Sequence, residues 1–86
     1  MASTTENDVK QRILDVSQLN GSIDDINNDS ALSDLNFNDN MCNDLAQQLD
    51  QYVKSAKSGT GVSNSEITSD MTVQNVIDLI KQKLGE

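Results

Sequence analysis

Apolar positions along this chain recur in three helical patterns separated by polar, turn-rich stretches. In the first, Val9, Ile13 and Val16, joined by Leu14 and Leu19, form one face, with Lys10, Arg12 and Asp15 outside it. Thr4, Thr5 or Asn7 can cap this helix, residues 1–6 read as a frayed start, and Asn20-Gly21 is a stop. A long connection from Ser22 to Phe37 follows, and Ile23, Ile26, Leu32, Leu35 and Phe37 are its inward anchors. The second pattern starts at Asn38 or Asp39 and runs to Val53 or Lys54, with Met41, Leu45, Leu49 and Val53 in one stripe. Ser58-Gly59-Thr60-Gly61 reads as flexible by composition, which places a linker over 57–62. Residues Ser65 to Ser69 can form one or two helical turns. Thr72 or Asp70 then caps a last helix carrying Val73, Val76, Ile77, Ile80 and Leu84 on one face. The expectation is an all-α fold: three longer helices, one short helix and a long first loop, centred on Ile13, Leu45, Leu49, Val53, Val73, Ile77 and Ile80.

The junction of the long loop and the second helix carries the main functional clue. Asp34-Leu35-Asn36-Phe37-Asn38-Asp39-Asn40, followed by Met41, aligns without a gap with the Asp-Leu-Gly-x-Asp-Ser-Leu stretch of acyl and peptidyl carrier proteins, and this segment resembles that family. The family's next two Leu positions fall on Leu45 and Leu49. Val62 to Val73 is similar to the family's Ile-Pro-Asp-x-x-Ala-x-x-Ile-Thr-Thr-Val segment, without its Pro, and Thr72-Val73-x-x-Val76-x-x-x-Ile80 matches the start of its last helix. The resemblance covers nearly the whole chain and implies one carrier-like bundle over residues 1–86. Asn36 stands at the family's Gly, and Asn is the non-Gly residue most tolerant of the left-handed region, so the turn can survive.

The departure lies at the attachment point. In the family the Ser carries phosphopantetheine; here Asp39 stands in its place, with Asn38 for the preceding Asp and Asn40 for the following Leu. The loading transferase needs a hydroxyl to attack phosphorus, and Asp39 has none; a carboxylate would give a hydrolysable anhydride. Ser30 and Ser33 precede the Asp34-Leu35 anchor and do not open the helix in the Leu45/Leu49 register, so no cofactor is expected. Asp39 can serve only as a helix cap, or it can set a fixed negative charge where the phosphate of a loaded carrier would sit. In the second case the protein imitates a loaded carrier and docks without cargo. The surface acids Asp34, Asp39, Asp44 and Asp50 lie along the start and flank of the second helix. The resemblance implies that Asp34, Asp39 and Asp44 meet Arg and Lys of a pathway enzyme, weakly and with salt sensitivity, since exposed ion pairs contribute only ~0–1 kcal/mol each.

Composition narrows the remaining classes. The chain has 86 residues, enough for one small domain that buries about 60–65% of its unfolded surface. With one Tyr, one Phe and no Trp, its core must be aliphatic. There is no His and a single Cys, which excludes His-based triads, His-containing zinc sites and internal disulfides. Cys42, one turn after Asp39, has no basic neighbour to lower its pKa and reads as a small core residue. A net charge of −8 with six Lys and Arg argues against nucleic acid and favours a basic protein surface as partner, though it also serves plain solubility. Asp25, Asn27 and Asp29 have calcium-loop spacing, but position 12 is Asn36 rather than Glu and the Gly at position 6 is missing. No metal ligand is therefore assigned. The absence of a long apolar run or a signal-peptide pattern leads us to expect a cytoplasmic monomer that does not insert into membranes. The expectation is a non-enzymatic carrier homologue of a fatty-acid or polyketide-type pathway. The alternatives are a working carrier loaded on another Ser, and a calcium-dependent interaction domain.

Overall fold

The computed structural model describes residues 4–17 and 21–85. They form three α-helices, α1 (Thr4–Ser17), α2 (Asp39–Ala56) and α3 (Val73–Lys83), with single 3-10 turns at Ile23–Asp25, Leu32–Leu35 and Asn64–Glu66. The fold is an all-α bundle, and among the described residues the only β-type pairing is an isolated antiparallel bridge between Ala31 and Thr72. Helix α1 packs against both α2 and α3. The centre is the expected one: Ile13, Leu45, Leu49, Val53, Val73, Ile77 and Ile80 are all fully buried. Each comes from a stripe at i, i+3 or i+4 spacing, and burial of these stripes against one another, rather than helix propensity, supplies the stability. Tyr52 of α2 closes the α1 side, with the Arg12 guanidinium 4.5 Å over its ring.

Four local readings change. Residues 4–6, read as frayed, belong to α1, while residues 1–3 and the expected stop at Asn20 lie outside the described residues. The short third helix is a single 3-10 turn, Asn64–Glu66. Within α2 the buried stripe runs through Cys42, Leu45, Ala46, Leu49 and Val53, and Met41 is only half-buried. The stretch 57–62 is not a free linker at its far end. Val62 is buried, and its N–H donates to Asp50 Oδ1 at 2.8 Å.

The long loop is held by its buried anchors Ile26, Leu32 and Phe37 and also by the start of α3. Leu32 N–H donates to Met71 O and Ser33 N–H to Ser69 O, while Val73 N–H donates to Ser30 O and Gln74 N–H to Asn28 O, all at 2.9 Å. The side chain of Asn28 adds Nδ2 bonds to Glu6 and Gln74, joining the loop to α1 and α3. These bonds fill the first two N–H groups of α3, which a helix cannot satisfy internally. Thr72 fills the next two: its Oγ1 accepts from Asn75 N–H, and its carbonyl from Val76 N–H.

Candidate functional site

The loop enters α2 through the second 3-10 turn. Asp34 Oδ2 accepts the Ala31 N–H at 3.2 Å, which fixes the start of that turn. Leu35 is half-buried and Phe37 buried, so the turn is anchored on both sides of Asn36. Asn36 is left-handed, at φ 67 and ψ 25, and is the one non-Gly residue with positive φ among the described residues. Its N–H donates to Ser33 O, and the Phe37 N–H donates to Leu32 O, each at 3.1 Å. Asn36 thus occupies the left-handed region that the sequence led us to expect there.

Asn38, not Asp39, is the N-cap of α2. Its Oδ1 accepts the Met41 N–H at 2.9 Å and its carbonyl accepts the Cys42 N–H. Asp39 is the first helical residue, and its side chain and that of Asn40 are exposed. Among the described residues the Asp39 carboxylate has no hydrogen-bond or ion-pair partner, and the N–H groups of Asp39 and Asn40 have no protein acceptor. The two helix starts therefore differ: that of α3 is closed by the loop, and that of α2 opens to solvent with a carboxylate on its rim. A negative charge in the first turn is favourable, by about 0.3–1 kcal/mol for a typical exposed site.

The three acids read as a docking set do not form one face. Asp34 is exposed but committed to the Ala31 N–H. Asp44 lies five residues after Asp39, about 140° round the helix, and lines a groove against α1 with Asp15, Val16 and Gln47. Asp39 is thus the member of the set that stands at the helix end without a committed partner.

Cys42 is buried, and burial first, then the charge of Asp39, push its thiol above the usual range. It is a core residue, with the thiol held protonated at neutral pH. Within the stretch of calcium-loop spacing, Asp25 Oδ2 accepts the Ser22 N–H and Asn27 Oδ1 accepts the Asp29 N–H, so two of the three side chains cap their own turns. Among the described residues no group of three or more His, Cys, Asp or Glu could hold a metal ion. The Asp39 position supplies a carboxylate and no hydroxyl, so it does not fit phosphopantetheine attachment. Ser30 uses its carbonyl to close α3, and Ser33 lies within the second 3-10 turn; neither opens an α-helix. No described helix is long and apolar enough to cross a membrane.

One feature escaped the sequence reading. A groove of about 640 Å³ lies at the other end of α2, beside Asp50, Gly61 and Glu66. Asp50 is eleven residues beyond Asp39, about 16 Å along the helix, so this groove is separate from the α2 start. Its sequence trace was the Ser63-x-x-Glu66 spacing, an acid three residues after a turn start, which also occurs at Ser22/Asp25 and Ala31/Asp34.

No protein-family model matches this chain, and no curated protein or solved structure matches it either.

Proposed function

We propose that the protein is a non-catalytic docking module of carrier-protein type, which presents Asp39 at the open start of α2 to a basic surface on an enzyme of a fatty-acid or polyketide-type pathway. The observation that carries this reading is the difference between the two helix starts. The first-turn N–H groups of α3 are used up by the loop and by Thr72, whereas among the described residues α2 leaves two N–H groups and the Asp39 carboxylate without protein partners. The left-handed Asn36 and the Asn38 cap support it, since they set up the junction that the carrier-like stretch from Asp34 to Asn40 requires. On this reading Asp39 supplies the charge of a loaded carrier's phosphate and delivers no cargo. Binding is weak and falls with salt, because an exposed charge is screened within about 8–10 Å at physiological ionic strength.

The test uses a promiscuous phosphopantetheinyl transferase, coenzyme A and an ordinary carrier as substrate. Excess wild-type protein should slow loading of the ordinary carrier, and Asp39→Lys should not. Intact-mass spectrometry of the wild type should show no added arm. The double variant Asp39→Ser, Asn40→Leu should gain the mass of one. Loading of the wild type would make it a working carrier with its Ser elsewhere. A folded double variant that is never loaded, together with no competition, would remove the carrier-type reading.

A further inference from the structure

The segment from Ser58 to Ile67 crosses from the C-terminal end of α2 towards α3 and is fastened at two points, the Val62 peptide group and the Glu66 side chain. The Val62 N–H donates to Asp50 Oδ1 at 2.8 Å, and the Ser63 N–H donates to Glu66 Oε1 at 3.1 Å. Each carboxylate uses its other oxygen on a lysine: Asp50 Oδ2 lies 3.0 Å from Lys54 Nζ, and Glu66 Oε2 lies 2.8 Å from Lys83 Nζ. Asp50 and Lys54 belong to α2 and Lys83 to α3, so the two fastenings tie the segment to two different helices. Gly61 makes the first one possible, because a Cβ there would stand 2.6 Å from Asp50 Oδ1. Val62 and Ile67 are the apolar side chains that the segment contributes to the core.

The two ends of the segment behave differently. Upstream, Gly59 sits at φ +86 with no atom within 4 Å of where a Cβ would be. Downstream, Ser69 O is fixed by the Ser33 N–H. The Ser63–Glu66 bond lies within the segment and, with the Glu66 N–H bond to Ser63 O, holds residues 63–66 as one turn directly after Val62, so a shift that frees Val62 carries Glu66 with it. We propose that Ser58–Ile67 is a strap that opens as one piece about Gly59, the Asp50–Val62 and Glu66–Lys83 fastenings releasing together and parting the 640 Å³ groove that the strap itself lines with Asp50 and Lys54.

Amide hydrogen exchange of the full chain, read residue by residue by NMR at neutral pH, tests this with two surface variants. Lys83→Ala touches only the α3 fastening, yet it should speed exchange of the Val62 amide, whose acceptor is Asp50, about three- to fivefold. Asp50→Asn retains an oxygen acceptor but loses the Lys54 pairing, and should speed exchange of the Glu66 and Ile67 amides. The Ile77 and Ile80 amides of α3 should keep their protection in both. Effects confined to the amides of the altered fastening would overturn the single-piece strap, as would a uniform rise that includes α3.

Discussion

Replacing Asn36 tests the turn that delivers the chain into α2. The residue is exposed, its side chain makes no hydrogen bond among the described residues, and its φ is 67. Its value should therefore lie in its backbone alone. An Ala forced into the left-handed region costs about 1–2 kcal/mol. The turn could escape this strain by flattening, but that would break the Asn36–Ser33 and Phe37–Leu32 bonds and expose Phe37. Loss of a buried Phe alone costs about 1.5–3 kcal/mol, so the strain is borne and its smaller cost is the one observed. Asn36→Ala should lower stability by about 1 kcal/mol, or about 4–8 °C in Tm for a domain of this size. Asn36→Gly removes the steric penalty and loosens the unfolded chain, two effects that nearly cancel. Urea and thermal melts followed by far-ultraviolet circular dichroism give both numbers. A Gly variant as damaged as the Ala variant would show that the Asn side chain, not the left-handed backbone, is what matters. An Ala variant equal to the wild type would sink the argument altogether.

Leu45→Ala, at a fully buried position where α2 faces the other helices, should cost about 2–5 kcal/mol in urea unfolding, a large part of the roughly 4–13 kcal/mol available to a domain of this size. The Asp50 carboxyl is held below its ordinary range by the Val62 N–H and then by Lys54, and that of Glu66 by Lys83 and then by the Ser63 N–H. Both groups thus add stability above their unfolded pKa and lose it as pH falls through the lower folded values. The urea midpoint should be flat from pH 7 to about 5 and fall below about pH 4, and the Asp50→Asn, Glu66→Gln double variant should show a shallower acid fall than the wild type. Cys42 should react with iodoacetamide at neutral pH far more slowly than a free thiol and reach the free-thiol rate in urea; fast labelling of the native protein would contradict its burial.

The hydrophobic pattern was sufficient for the helices because each buries a stripe whose period shows in a few turns: Leu45, Leu49 and Val53 on α2, Val73, Val76, Ile77 and Ile80 on α3. Asn36 was legible for a similar reason, since few residues accept positive φ. What escaped was long-range. Nothing local announces that Ser30 and Asn28 will supply acceptors for Val73 and Gln74, so the loop read as held by its apolar anchors alone. Asp34 and Asp50 looked like surface acids, but each is spent on a backbone N–H, Ala31 and Val62 respectively. The start of α2 stayed open between Asn38 and Asp39 in the sequence, because both are good caps and only the geometry singles out Asn38.

The pairing of residues 28–33 with 69–74 also sets an order of events during synthesis. On the ribosome α1 and α2 can begin to coil as they emerge, but the loop that leads into Asn36 and Asn38 lacks its hydrogen-bond partners until the stretch from Ser69 to Gln74 has left the exit tunnel. The exposed carboxylate end of α2 is thus fixed in place only after the residues that begin α3 have been made. A nascent chain stalled before Ser69 would present Asp39 on an unsupported loop.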